Sequence, residues 1–359
     1  MNTELLKELI ETAGVPGREH RVRALIEREV EGLFDSVTTD PLGSLVCVRK
    51  ARGPGADAGP GRVMVAAHMD QIGFIVRFVD DDGFVRVQPA GGFDVRNLFA
   101  RVVTIAPDPR DPSKDLTGLL NPGVKPVHLA SDEDLKKLPD LSDLVIDTTL
   151  PAADVKARVK IGDMVTLRAP FLDLGPAVAG QAMDNRVACW SLIEAVRKLD
   201  ASGAEHPCEL HCVFTVQEEV GLRGALTSAY TARPDVGIAV DTTLCVDTPG
   251  GVEHTRTTAF GKGVGLTVMD SASIGDLGVL QALERIGERE AIPTQRSLLM
   301  RGGTDAGSLQ RAGAGARTFT LSVPTRNIHT VIEACHKVDL EACRDLLAAF
   351  LAEPLPEVG

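Results

Sequence analysis

The sequence predicts an α/β protein: a mostly parallel sheet flanked by helices and interrupted by a small β-barrel-like insert. Three observations carry this. Apolar strand-like runs alternate with helical runs in residues 1–71 and again in 170–359, the pattern of a sheet covered on both faces. From Ile72 to about Arg168 that texture gives way to short β-rich pieces at regular spacing, as in a small barrel or sandwich. The 359 residues also exceed the roughly 250–300 at which a single core stops growing. The expected organisation is one discontinuous domain, 1–71 with 170–359, into which a second domain, 72–169, is set.

Taken in order, Leu5, Leu6, Leu9 and Ile10 recur at helical spacing, and a second amphipathic run spans Glu19–Phe34 beyond the breaker Gly14-Val15-Pro16-Gly17. Strands come next at Ser44–Arg49 and Arg62–His68, and the Gly/Pro-rich 53–61 segment between them reads as a loop tip. The insert contributes Gly73–Phe78, Phe84–Gln88, Arg101–Ile105 and Asp163–Leu167. Its residues 107–140, rich in Pro, Asp and Lys, read as a long mobile loop. Beyond Leu172 come helix Val187–Leu199, buried strand Glu209–Val216, a helix from Gly221 to Tyr230 and strand Val236–Val240. Helix Ile274–Arg289, strand Ala316–Val323 and helix Asp339–Leu351 complete the pattern.

Composition narrows the function classes. Asp and Glu number 50 against 38 Lys and Arg, a net charge of −12. Nucleic-acid affinity comes largely from cationic side chains, so that partner is excluded. The aromatics are 11 Phe, one Trp and one Tyr, too few for a long cleft that stacks bases or sugars. No apolar run approaches a membrane span, and the charged, helical N-terminus does not resemble a signal peptide. Seven cysteines are scattered without a CxxC pair, the usage of free, buried thiols in a reducing compartment. Cytoplasmic localisation is the expectation.

Open parallel sheets place reactive groups beyond the carboxyl ends of their strands. The strand RVMVAA ends in His68-Met69-Asp70, CVFTVQ in Glu218-Glu219 and VGIAV in Asp241; ARTFTLSV leads to Asn327-Ile328-His329. Asp184 lies just ahead of the Val187–Leu199 helix. Carboxylates so clustered repel one another unless protons or cations neutralise them. Two imidazoles among oxygen donors suit divalent zinc, cobalt or manganese rather than calcium. Asp70 lies two residues beyond His68, so both point the same way on an extended strand, as a carboxylate orienting a ligand imidazole would. Glu218 and Glu219 are adjacent and project to opposite sides. One as ligand and the other as general base fits better than a simple pair.

The motifs AAHMDQIGFIV (66–76), GQAMDNRVA (180–188), TVQEEVGLRGA (215–225), AVDTT (239–243), GGTDAG (302–307) and RNIHT (326–330) together resemble the tetrahedral (TET) dinuclear metallo-aminopeptidases. These are relatives of glutamyl and deblocking aminopeptidases, and the likeness spans almost the whole chain. It implies a zinc-peptidase-like catalytic domain that removes N-terminal residues from peptides with two divalent ions per subunit, zinc or alternatively cobalt or manganese. It further implies that His68 and Asp241 hold one ion, Glu219 and His329 the other, and Asp184 both. Glu218 would be the general base and Asp70 the support of His68. The insert would be a dimerisation domain, the assembly a hollow dodecamer built from dimers, and KPVHLASDEDLKKL (125–138) the family's mobile loop.

Rival chemistries have less support from the residues. Proteins of this kind also carry cellulase names, but one Trp and one Tyr leave little sugar-stacking surface. A deacylase or carboxypeptidase with a similar dinuclear core is harder to separate. Cys208, His211 and Cys212 imitate a metal cluster, yet His211 and Cys212 face oppositely on a strand. The turn Gly302-Gly303-Thr304-Asp305 lacks a P-loop lysine, and no GxSxG elbow is present.

Overall fold

Asn2 accepts a hydrogen bond from the Leu5 N–H and opens helix α1 (Thr3–Glu11), which buries Leu5, Leu6, Leu9 and Ile10. A turn through Gly17, with φ +75°, leads to α2 (His20–Glu29). The computed structural model describes residues 1–53 and 61–357, so the loop tip at 53–61 falls almost wholly outside the described residues. Strands β1 (Ser36–Thr39), β2 (Leu45–Arg49) and β3 (Arg62–His68) lead into the insert. There β4 (Gly73–Val79), β5 (Val85–Ala90), β6 (Arg101–Ala106), β7 (Leu116–Pro122), β8 (Leu144–Asp147) and β9 (Met164–Leu167) form a closed barrel in the order β4-β5-β8-β7-β6-β9. Helices α3 (Asp132–Lys136) and α4 (Ala152–Arg158) lie in its connections.

The chain then continues through β10 (Leu172–Asp173), β11 (Ala177–Gly180), α5 (Met183–Ser202), β12 (Glu209–Thr215), α6 (Arg223–Ala232) and β13 (Val236–Leu244). It ends with β14 (Val264–Met269), α7 (Leu277–Arg289), β15 (Thr294–Leu298), α8 (Ala306–Arg311), β16 (Arg317–Arg326), β17 (Glu333–His336) and α9 (Lys337–Leu351).

Among the described residues these strands build an eleven-stranded sheet in the order β1-β2-β12-β3-β13-β16-β17-β11-β10, with β14 on β16 and β15 on β14. Its centre, β12-β3-β13-β16, is parallel, as is the β14–β15 pair. The borders are antiparallel. Parallel pairing therefore stays where crossover helices join the strands, and the short connections at the margins, such as the turn between β1 and β2, permit only antiparallel neighbours.

The β3 strand shows how the helices are divided between the faces. Val63, Val65 and Ala67 enter the large core shared with α1, α2, α5, α7 and α9. The alternate residues Met64 and Ala66 meet a smaller core of Ala225, Ala229, Ala232, Leu309 and Ala312 from α6, α8 and their ends. Period-two burial on both faces is what a central strand of a covered sheet requires.

One expectation is overturned. Residues 107–140 are not a single loop, because β7 occupies Leu116–Pro122 and completes the barrel. Leu116, Gly118 and Leu120 alternate inward between exposed neighbours. The polar, proline-rich composition around them concealed this short period-two signal. Gly118 faces Ile146 so closely that any side chain there would collide with it.

Trp190 on α5 is fully buried, and its Nε1–H donates to the Asn2 carbonyl at 2.9 Å, pinning α1 against α5. We predict that Trp190→Ala lowers stability by about 3–5 kcal/mol. A urea titration would show a reduced midpoint with little change in slope.

Candidate metal centre

All but one of the side chains expected at the site stand at the end of an element or in irregular backbone; Asp241 alone lies within a strand. His68 is the last residue of β3, Asp70 lies two residues on, Glu218 and Glu219 lie just past β12, and Asp241 is in the second half of β13. Asp184 occupies the irregular start of α5, where it and Asn185 leave helical backbone angles (φ −76°, ψ 103° and φ −128°, ψ 39°). Its side chain turns toward the two imidazoles. His329 sits in the β16–β17 connection with φ +59°. The structure brings all seven together beside a cavity of about 570 Å³, whose wall also includes Leu222, Leu244, Leu299 and Ile328.

Two separate approaches organise the cluster. His68 Nε2 lies 3.2 Å from Asp184 Oδ1, 3.7 Å from Glu218 Oε2 and 3.8 Å from Asp241 Oδ1. His329 Nε2 lies 3.5 Å from Asp184 Oδ2 and 3.5 Å from Glu219 Oε2. The two oxygens of Asp184 thus face different imidazoles, and the adjacent glutamates address different imidazoles too. Ligand atoms of His68, Asp184 and Glu219 come within 4.8 Å of one another, as do those of His68, Glu218 and Asp241. Distance by itself thus leaves Glu218 able to be either a ligand or a base.

Asp70 does more than accompany His68. His68 Nδ1 is 3.0 Å from the Asp70 carbonyl and 3.5 Å from its Oδ1. The same carboxylate accepts the Glu218 N–H on Oδ1 and the Glu219 N–H on Oδ2, each at 3.1 Å. One buried residue therefore orients an imidazole and fixes the backbone of both glutamates.

The electrostatics are those of acids forced together out of water. Burial pushes the Asp241 carboxyl up to about 6 and that of Asp305 to about 7, and it drives Glu218 and Glu219 well above the carboxylate range, with neighbouring carboxylates adding to the effect. Burial opposes ionisation of Asp184 as well, but His329 and His68 hold it below its usual range. Against the effect of burial, Asp184 and Glu219 raise His329 to about 10. Glu219 Oε1 and Asp305 Oδ1 are buried without a hydrogen-bond partner. Acceptors without donors, in a nest of acids with two imidazoles, fit divalent cations.

Four contributors escaped sequence reasoning. Asp305, in the GGTD turn, is buried with Oδ2 accepting from Thr215 Oγ1 at 2.6 Å. Glu19 is buried and accepts the Gly17 and Gln217 N–H groups, extending the row of held amides to residues 217, 218 and 219. Arg186, fully buried, donates to the carbonyls of Leu9, Thr12, Gly14 and Met69 and to Gln71 Oε1. Glu333 is the fourth, and its signal was available: it opens the alternating strand β17 on the same buried side as Cys335, two residues after the buried Val331. The imitation cluster forms no site, since His211 pairs with Glu209 while Cys212 lies beside Cys47 in the core.

Residues 43–346 match the model of the M42 glutamyl aminopeptidases. The chain belongs to the M42 family. It is accordingly a hydrolase of a metal-dependent aminopeptidase family. This M42 enzyme is similar to a lysyl aminopeptidase of Pyrococcus furiosus, with 31% identity over 98% of this chain and 97% of that protein. It superposes on a TET aminopeptidase from a marine-sediment thaumarchaeote with a TM-score of 0.90 at 31% identity, covering 98% of this chain and 96% of that one. The TET1 peptidase of Pyrococcus horikoshii, which assembles into a tetrahedron or a large octahedral shell, gives 0.83 at 30% identity over 97% and 98% of the two chains. Among the described residues of the M42 enzyme, no helix is long and apolar enough to cross a membrane.

Asp70→Asn keeps the shape of the side chain but leaves one acceptor where two amides need one each. The expected result is a folded protein whose kcat/KM on an aminoacyl p-nitroanilide falls about 10–100-fold, checked alongside its far-UV spectrum.

Proposed function

We propose that the chain is a two-metal aminopeptidase that releases N-terminal amino acids from peptides. The observation that carries this reading is Asp184, whose two oxygens stand 3.2 Å and 3.5 Å from the two imidazoles and so suit a bridge between two cations. His68 and Asp241 would complete one position, and Glu219 and His329 the other. Zinc is the first expectation, with cobalt or manganese as alternatives, given mixed nitrogen and oxygen donors.

Ions held there would supply Lewis-acid polarisation of the scissile carbonyl and make water a competent nucleophile near neutral pH. Glu218 has the position for the proton work. It is buried, borders the cavity, and its backbone is held by Asp70. It takes the proton of the attacking water and returns it to the leaving amine. Asp70 keeps His68 in one orientation and keeps Glu218 and Glu219 on their separate sides. Leu222, Leu244, Leu299 and Ile328 line the space beside them and receive substrate.

The remaining expectations belong to the same reading. Residues 1–71 and 170–359 form the catalytic domain, the barrel-bearing 72–169 serves as the dimerisation domain, and dimers build a cytoplasmic dodecamer. The shells formed by the Pyrococcus horikoshii relative support the assembly into a closed oligomer.

Glu218→Gln is expected to lower kcat on aminoacyl p-nitroanilides about 10²–10⁴-fold while two ions per chain remain bound by metal analysis. Near-wild-type turnover with both ions present would show that Glu218 is not the base. A strong chelator is expected to abolish the wild-type activity, and zinc, cobalt or manganese to restore it. A glycosidase would survive the chelator, and a deacylase would prefer N-acylated substrates assayed in parallel.

A further inference from the structure

Glu333 is outside the proposed ligand set, yet it is only 2% exposed. Its Oε2 accepts the Asp184 N–H at 3.0 Å, and its Oε1 accepts the His329 N–H at 2.7 Å. These two residues are far apart in sequence and stand on irregular backbone: Asp184 at the non-helical entry to α5 and His329 in a left-handed conformation. Their side chains approach each other at 3.5 Å. Glu333 itself is the first residue of β17, whose neighbour Ala334 pairs with both Arg326 of β16 and Ala179 of β11. The carboxylate is thus anchored in the sheet between the two segments it holds.

The choice of residue type is physical. Two N–H groups converging on the two ends of one side chain need an acceptor at each end, which a carboxylate provides and an amide does not. We propose that Glu333 is a positioning residue for the cation site formed by Asp184, Glu219 and His329. It sets the separation and facing of Asp184 and His329 by holding both backbones at once. This rests on the two-metal reading and adds to it a residue that touches neither ion nor substrate. It matches, on the other side of the centre, what Asp70 does for Glu218 and Glu219.

The test uses the full-length protein and a single probe, Co²⁺, added to metal-free enzyme, with binding monitored by visible absorption and calorimetry. Glu333→Gln is compared with wild type and with Asp339→Asn. Asp339 is a fully buried carboxylate that accepts two backbone amides, from Gly261 and Gly263, away from the centre. The expected result is that wild type takes up two ions. Glu333→Gln should take up one as tightly as wild type and the second about 10–100-fold more weakly, with kcat falling more than KM rises and partly recovering at high Co²⁺. Asp339→Asn should lose thermal stability but bind both ions as wild type does. Two undiminished ions in Glu333→Gln, an equal second-ion loss in Asp339→Asn, or a Glu333→Gln that aggregates while Asp339→Asn folds would each overturn the proposal. Fewer than two ions in the wild type would instead overturn the two-metal reading, and this inference with it.

Discussion

The constraint on which this structure depends is the concentration of buried acid at the carboxyl end of the parallel strands. Asp70, Glu218, Asp241 and Asp305 are all buried around His68, with Asp184 and Glu219 beside them. An isolated ionised carboxylate out of water costs several kcal/mol even after relaxation, so six together demand compensation. The protein supplies it in layers. Backbone N–H groups bind Asp70, imidazoles face Asp184, and Thr215 binds one oxygen of Asp305. The lone pairs that Asp184, Glu219 and Asp241 keep directed at the centre are the ones that cations would engage.

Holding such a cluster open requires a frame that does not yield. Arg186 ties the end of α1, the turn after it and the end of β3 through their carbonyls, and the fully buried Trp190 sits one helical turn further along α5. Glu19 and Asp70 then fix three successive amides beyond β12. The barrel is also placed by this frame. It leaves the sheet just after Asp70, and Gly92 returns to the edge of the His329 ring, where a Cβ would lie 3.5 Å from Nδ1. The insert therefore comes up against the His329 side of the centre.

Much of this was legible in the sequence because strand ends in a parallel sheet are where chemistry collects. His68, Asp241 and Glu218-Glu219 could be placed from their positions at the ends of apolar runs, and Asp184 by its position before a helix. The barrel was visible as a change of texture, although β7 was lost in a polar stretch whose buried positions are only Leu116, Gly118 and Leu120. Three of the missed residues share one property: they act through backbone amides and carbonyls. Arg186, Glu19 and Glu333 bond to atoms that nearly every residue carries, so no pairing of residue types announces them. Only a charge at a position that should be apolar does so, and Glu333 between Val331 and Cys335 is the clear instance.

Residue type alone cannot separate the roles of these carboxylates, but the use of each oxygen can. Asp70 and Glu333 spend both oxygens on amides, and Glu19 receives two on one oxygen. These three are committed to holding backbone. Asp184 turns its oxygens toward imidazoles, Glu219 leaves Oε1 without a donor, and Glu218 faces His68 at the cavity. These groups, with Asp241, retain lone pairs directed at the centre. Carboxylates that hold backbone thus surround carboxylates that can bind cations or carry a proton. This division explains why acids that repel one another are kept in such number: the outer ones fix the geometry in which the inner ones become useful.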